Sequence, residues 1–351
     1  MKTVVITGCR GQIASYAIDR FLEEGYNVVG TYRRCSLPDF SNIEHNLNNP
    51  NFTLFEADIC DATSVSGVLT KFRPDIILNF AAQSHVGSSY NQPIVTQDVN
   101  YIGVINQLEA IRLIKPDTIF WQASTSECMG ITPSKEQGEE TPPCPVSPYA
   151  VSKLAAEYII KAYRHTYNMK CCYSRMFNSE SKRRAKAFVT RKITDYIGKT
   201  FNIVEKEVIN QTEDKRSFIS TDQAFKFALS DNLIPKLKLG NIDTFRSWTH
   251  CSDTVDGIFK QITNPSAGLV DYVIGREETH SIKEFLSISF GMVGLDWQDF
   301  VEIDPQFIRP SDVPYLRPDS SKIHKELGWN PKVSFNDLVK EMVYSSVEEY
   351  S

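Results

Sequence analysis

The first half of the chain alternates short β-branched apolar runs with segments whose apolar residues recur at helical spacing. Residues 3–7, 27–31, 52–56, 76–80 and 118–123 read as strands, and residues 13–24, 62–72 and 99–114 as the helices between them. A long helix is predicted over 147–167, followed by a strand at 171–176. Alternation of this kind predicts a parallel sheet with helices on both faces, so the fold class is α/β. After about Asn178 the pattern loosens. Basic residues cluster at Lys182, Arg183, Arg184 and Lys186, and prolines stand at 305, 310, 314, 318 and 331. The stretch 200–233 is polar, mixed in sign and yields no assignment. Residues 253–262 and 272–274 look like elements that return to the main sheet. The predicted division is 1–177 for the first domain, with elements near 240–275 rejoining it, and 178–239 plus 276–351 for a smaller C-terminal α/β domain.

Composition narrows the function classes. With 41% hydrophobic and 23% charged residues the chain is an ordinary globular protein. A net charge of -5 argues against a general nucleic-acid or membrane-surface binder, so an anionic ligand needs a local cluster of Arg and Lys. The 8 cysteines show no Cys-x-x-Cys pair and no zinc-like His spacing, which predicts reduced thiols and no metal. No stretch approaches the roughly 18–20 apolar residues of a membrane span, and the N-terminal apolar run is too short for a signal peptide. A cytoplasmic location is the expectation.

Candidate chemistry begins at residue 7. Thr7-Gly8-Cys9-Arg10-Gly11-Gln12-Ile13-Ala14 lies between the first strand and the first helix. Gly8 allows a tight turn, Gly11 a close approach of backbone to a pyrophosphate, and Ala14 close helix–strand packing. The helix N-terminus then presents free N–H groups to the anion, with Gln12 and Ile13 in its first turn. This is the turn of a Rossmann-type doubly wound sheet that binds a dinucleotide. The second strand ends Gly30-Thr31-Tyr32-Arg33-Arg34, without the acid that holds a ribose 2′-hydroxyl. Two guanidinium groups suit a 2′-phosphate, so NADP is the expected cofactor; an exposed basic turn is the competing reading. Asp58, with Ile59 beside it, follows the third strand and could accept from the adenine amino group. Phe80, Ala81 and Ala82 follow the fourth strand, where small residues let backbone lie against the cofactor.

Tyr149 and Lys153 stand four residues apart and therefore share a helix face. A lysine ammonium near the phenol favours the phenolate, which can take a proton from a sugar hydroxyl as hydride leaves the same carbon. Thr125 and Glu127 follow the fifth strand at the carboxyl edge of the sheet, where ligands bind in such folds. Thr125 can hydrogen-bond the oxygen being oxidised. Glu127 adds an acid/base group that a simple reductase or epimerase does not need; a helix N-terminal acid is its bland alternative.

Three stretches then carry a resemblance: Ala82-Gln83-Ser84-His85-Val86, Gln122-Ala123-Ser124-Thr125-Ser126-Glu127 and Ser147-Pro148-Tyr149-Ala150-Val151-Ser152-Lys153. With Phe188-Val189-Thr190-Arg191-Lys192-Ile193, Leu239-Gly240-Asn241-Ile242-Asp243 and Arg309-Pro310…Leu327-Gly328-Trp329, the chain resembles the GDP-mannose 4,6-dehydratases of the extended short-chain dehydrogenase superfamily over nearly its whole length. The resemblance implies that Tyr149 removes the C4 hydroxyl proton while hydride leaves C4, that Glu127 abstracts the C5 hydrogen and protonates the departing C6 hydroxyl, and that hydride returns to C6. It implies cofactor contacts from Ser84, Lys153, Ser179 and Arg184. Substrate contacts are implied for Ser84, His85, Asn178, Lys192, Arg246 and Arg309, with Arg191 a further diphosphate candidate in a C-terminal substrate-binding domain. It also implies a homo-oligomer, dimer or tetramer, in which the loop around Arg183 and Arg184 reaches a neighbouring subunit's cofactor.

Two departures stand out. Asn178-Ser179-Glu180 carries Ser179 where the family has His, and the chain between Lys192 and Leu239 is about twenty residues longer than the resemblance leads one to expect. Three alternatives therefore stay open: the same dehydration on a related GDP-sugar such as a GDP-manno-heptose, a nucleotide-sugar 4-reductase or epimerase, and a non-catalytic NADP-binding regulator.

Overall fold

The structure is a computed structural model that describes residues 1–209, 221–264, 268–308 and 313–351. The chain divides into two compact units. The first comprises Met1–Ser179, Ser247–Glu278 and Ser311–Lys332; the second comprises Glu180–Arg246, Thr279–Pro310 and Val333–Ser351. The sequence reading put 311–332 with the C-terminal domain, whereas this stretch packs in the first unit. Trp329 is fully buried there and its indole N–H donates to the Asp253 carbonyl at 2.8 Å.

In chain order the main elements of the first unit are β1 (Thr3–Thr7), α1 (Gln12–Glu23), β2 (Asn27–Tyr32), β3 (Phe52–Glu56), α2 (Ala62–Phe72), β4 (Ile76–Asn79), α3 (Gly103–Ile114), β5 (Ile119–Thr125), α4 (Pro148–Tyr167), β6 (Cys171–Met176), α5 (Cys251–Thr263) and β7 (Tyr272–Ile274). The seven strands form one parallel sheet in the order β7-β6-β5-β4-β1-β2-β3. Strand order reverses between β1 and β4, and open sheets of this type bind ligands outside the carboxyl ends of the strands at that switch.

Because successive strand residues point to opposite faces, the near-continuous apolar runs feed two cores. Val4, Ile6, Ile76, Leu78 and Trp121 face α1 and α5, packed with Phe21, Ile258 and Trp329. Val5, Ile77 and Phe120 face α2, α3 and α4, packed with Val68, Leu108 and Ile160. Each large side chain fully buried in this way contributes roughly 1.5–3 kcal/mol.

Helix ends follow local chemistry. Asp61 caps α2 by accepting from the N–H groups of Thr63 and Ser64, and the helix stops where Arg73 turns left-handed. Ser147 caps α4 through the Ala150 N–H, with Pro148 opening the first turn, so that Tyr149 falls at the very start of the helix.

Two expectations need correction. β5 does not stop at Ala123 but runs to Thr125, because the polar Ser124 and Thr125 keep strand register with Arg175 and Met176 of β6. The segment expected as one helix from 99 is a π-helical turn over Asp98–Ile102 that leads into α3.

In the second unit the helix Val189–Ile203 packs on the C-terminal helix Phe335–Tyr350. A Cβ on Gly198 would come within 2.4 Å of the Ser346 carbonyl, so glycine sets how closely these helices approach. Short strands pair Leu237–Leu239 with Val301–Ile303 and Phe245–Arg246 with His280–Ser281. The unassigned stretch contains a helix at Thr221–Ser230, whose Phe225 is buried beside the rings of Phe201 and Phe300. Among the described residues no helix is long and apolar enough to cross a membrane.

Candidate active site

The turn after β1 is built around Gly8, which has φ +63° and whose added Cβ would lie 2.9 Å from the Ala81 backbone. Only glycine meets both demands. Gly11 donates its N–H to the Gly8 carbonyl and forms the N-terminal boundary of α1, with no side-chain cap over the first N–H groups. Ala14 is buried against the sheet. Gln12 turns its amide toward the Ser179 carbonyl at 2.7 Å, tying the turn to the chain that follows β6. Ile13 packs partly buried against the core. Arg33 and Arg34 are exposed at the end of β2, and neither has an ion-pair partner among the described residues.

Asp58 accepts from the Cys60 N–H at 2.9 Å. The Ile59 side chain turns into the core, within contact of Gly103, so only its backbone faces outward. Phe80 lies against Trp121 with ring centroids 5.0 Å apart. Ala81 N–H donates to the Thr7 hydroxyl at 3.1 Å, while Ala82 is half-buried.

A chain of polar contacts links this turn to the catalytic helix. The Thr7 hydroxyl donates to Asn79 Oδ1 at 2.5 Å, Asn79 Nδ2 to Gln122 Oε1 at 2.7 Å, and Gln122 Nε2 to the Ala123 carbonyl at 2.7 Å. The same carbonyl accepts from Lys153 Nζ at 2.9 Å. Tyr149, Lys153 and Glu157 lie one turn apart along α4, all buried. Thr125 ends β5 and its hydroxyl accepts the Glu127 N–H at 3.2 Å, folding Ser126–Cys128 into a single 3₁₀ turn that packs on α4. The structure thus brings Thr125, Glu127, Tyr149 and Lys153 to one edge of the first unit.

Burial pushes the Lys153 ammonium down from 10.5 to about 8, with the buried Glu157 carboxylate opposing the shift. In the cofactor-free protein the charged form is lost as pH rises through about 8. The profile of kcat/KM, which reports free-enzyme groups, is therefore expected to show an alkaline limb near pH 8 that Lys153→Arg moves beyond pH 10. An unmoved limb in that variant would remove Lys153 from the assignment. The stability sign is opposite to that of a paired lysine: the folded value lies below the unfolded one, so the charge costs stability below about pH 8 and the cost fades as pH rises toward 10.5.

Sequence reasoning missed several positioning groups. Asn100, buried on the π-helical turn, donates to the Gln83 carbonyl and the Ser152 hydroxyl, both at 3.0 Å, and accepts the Gln83 N–H at 2.9 Å. It thereby fixes the loop after β4 against the residue preceding Lys153. Nothing in the local pattern marks it, since it reads as one more polar helix residue. Glu157 was legible as the residue four after Lys153. It accepts from Ser124 Oγ at 2.5 Å and from the Arg175 guanidinium through both oxygens.

The remaining predicted residues sit as follows. Ser84 is exposed. His85 caps a short helix through the Ser88 N–H, and its Nδ1 lies 2.8 Å from the Ser88 hydroxyl. Asn178 and Ser179 open a short strand; the Ser179 hydroxyl lies 2.9 Å from Thr254 Oγ1 and is buried. In the second unit Lys192 Nζ lies over the Phe307 ring, and Arg246 is buried with Nη1 donating to the Phe245 carbonyl at 2.8 Å. Arg184 pairs with Glu180 at 3.2 Å and stacks on Phe188 within its own chain. Arg191 is buried, and its guanidinium donates to Asp195, Glu349 and the Lys182 carbonyl. Arg309 lies outside the described residues.

The sheet order, the glycine turn and the helix carrying Tyr149 and Lys153 define a Rossmann-fold protein of the short-chain dehydrogenase/reductase type. The family described as GDP-mannose 4,6 dehydratase matches residues 5–227 and 226–342. GDP-mannose 4,6 dehydratase 1 of Arabidopsis thaliana is 38% identical over 99% of this chain and 90% of its own length; the Homo sapiens GDP-mannose 4,6 dehydratase is 33% identical over 99% and 92%. The chain belongs to the GDP-mannose 4,6-dehydratase family. Among solved structures, a dTDP-glucose 4,6-dehydratase of Streptomyces venezuelae with NAD and TYD bound shares the fold at TM-score 0.81 and 23% identity, over 99% of this chain and 97% of that one.

Proposed function

We propose that this protein converts GDP-mannose, or a close GDP-manno sugar, to the 4-keto-6-deoxy product with NADP as cofactor. The observation that carries this reading is the Thr125–Glu127 turn packed on the helix that presents Tyr149 and Lys153, which supplies one more acid/base group than a C4 redox reaction uses.

A nicotinamide dinucleotide fits the residues present. Gly8 and Gly11 leave backbone bare at the N-terminus of α1, and two guanidinium groups at the end of β2, without ion-pair partners among the described residues, suit the 2′-phosphate that distinguishes NADP. When bound, the dinucleotide supplies a hydride acceptor and then a hydride donor. Tyr149 takes the proton of the C4 hydroxyl, with Thr125 holding the same oxygen. Lys153, anchored on the Ala123 carbonyl, favours the phenolate. The C4 ketone acidifies the C5 hydrogen, which Glu127 removes; Glu127 then returns that proton to the C6 oxygen as it leaves as water. Once hydride has returned to C6, a proton from solvent restores the C5–H bond and Tyr149 releases the C4 proton to solvent. A second group is needed because Tyr149 is committed at C4. Lys192, Arg246 and Arg309 remain the candidates that the family resemblance offers for the diphosphate.

The test is incubation with GDP-mannose and catalytic NADP. A 4-keto-6-deoxy sugar formed without net NADPH consumption is expected. Stoichiometric NADPH oxidation would reassign the protein as a reductase, and absence of turnover across GDP-, CDP-, UDP- and dTDP-sugars would make it a non-catalytic binder.

A further inference from the structure

We infer that Arg10, the side chain between the two glycines of the phosphate turn, is a third recognition group for the 2′-phosphate of the dinucleotide and sets the preference for NADP over NAD. This rests on the cofactor reading given above.

Arg10 is held across the end of β2. Its carbonyl accepts from Asn42 Nδ2 at 2.9 Å, and Cys9 N–H donates to the Thr31 carbonyl at 3.0 Å, so the turn is fastened to the second strand. The guanidinium lies over the Tyr32 and Phe40 rings, 5.6 and 5.8 Å from their centroids, and these rings meet edge to face. The aromatic cradle orients the planar cation and limits its rotamers. Nη2 reaches the Arg33 carbonyl at 3.4 Å and Nη1 the Cys35 sulfur at 3.3 Å, both uncharged acceptors.

Arg10 is thereby brought to the segment that carries Arg33 and Arg34, and none of the three guanidinium groups has a carboxylate partner among the described residues. In a chain of net charge -5, three uncompensated guanidinium groups at one strand end repel each other unless an anion joins them. A phosphomonoester is the anion whose charge and oxygens suit several guanidinium forks at once. The turn that seats the pyrophosphate and the strand end beside the ribose are the two elements Arg10 joins, so the phosphomonoester it meets is the one on the 2′-oxygen.

The measurement is equilibrium binding to cofactor-stripped protein, using NADPH and NADH fluorescence and competition by 2′,5′-ADP against 5′-AMP. Arg10→Met keeps the apolar stem over Tyr32 and Phe40 while removing the charge; Arg10→Lys restores a cation without the fork. Arg10→Met is expected to weaken NADPH and 2′,5′-ADP roughly 10- to 100-fold, leave NADH and 5′-AMP within about 3-fold, and flatten the salt dependence of NADPH binding. Arg10→Lys is expected to recover part of the loss. If wild-type protein prefers NADPH and Arg10→Met keeps that preference, Arg10 is not a recognition group and the cofactor reading stands. Equal weakening of all four ligands would reduce Arg10 to a support of the turn and overturn the inference. A wild-type protein that binds NADPH and NADH alike overturns the cofactor reading itself.

Discussion

Glu127→Gln is expected to bind cofactor and nucleotide sugar normally and to form the 4-keto-6-deoxy product roughly 10²–10⁴-fold more slowly, the range for loss of a positioned acid/base group. Gln is nearly isosteric, and the turn is held by the main-chain N–H of residue 127 on the Thr125 hydroxyl, which the substitution leaves in place. The amide can neither take the C5 proton nor return it to the C6 oxygen. Oxidation at C4 needs only Tyr149, Lys153 and Thr125, so in a single turnover reduced nicotinamide should accumulate in Glu127→Gln and be absent in Tyr149→Phe. Wild-type dehydration rates in Glu127→Gln would defeat the role given to this carboxylate.

Arg175→Met is expected to destabilise the fold by about 3–5 kcal/mol, the usual result of stranding one member of a buried ion pair. Arg175 grips Glu157 at 3.1, 3.1 and 2.9 Å, and its side chain is 6% exposed against 1% for the carboxylate. Its Nη1 also donates to the Glu139 carbonyl at 3.3 Å. Removing the cation leaves a carboxylate with only the Ser124 hydroxyl to solvate it, directly behind the helix turn that carries Lys153. The double variant Glu157→Gln/Arg175→Met should regain most of the loss, because neither remaining group is charged. Denaturant unfolding of both variants decides the matter: a single variant within ~1 kcal/mol of wild type would show that the pair is dispensable.

Several strands were legible in the sequence, and β1, β3, β6 and β7 begin and end where the pattern says. In β1 both faces are buried, and the run Val4-Val5-Ile6 holds no polar residue to blur it. β5 runs past its predicted end, which fell short because Ser124 and Thr125 look like a loop. They are buried as strand residues because neighbours satisfy their side chains, as Glu157 does for Ser124 and the Glu127 N–H for Thr125. The π-helical turn had no signature, since one extra residue in a helix alters hydrogen bonding and not composition. The residue types of the candidate site were legible as motifs, whereas the Ala123 carbonyl that anchors Lys153 was not, because a backbone acceptor has no letter in the sequence. The partners of Arg191 were not legible for the converse reason: Asp195 and Glu349 are 4 and 158 residues away, and only the fold shows them meeting. The second unit was hard to read because its short strands pair across long separations, Leu237 with Val301 among them.

The interleaving of the two units has a consequence for how the protein is born. Trp329 completes the core that contains Phe21, and the helix Phe335–Tyr350 completes the core built on Val189–Ile203. Ribosomes add roughly 5–20 residues per second and usually release domains to fold one after another from the N-terminus. Here Phe21 waits on the order of tens of seconds for Trp329 at such rates. Both cores stand open until Trp329 and the helix Phe335–Tyr350 have been made, so apolar surface of both units stays uncovered over most of the synthesis of these residues. A truncation before Trp329 strips closing residues from both units at once.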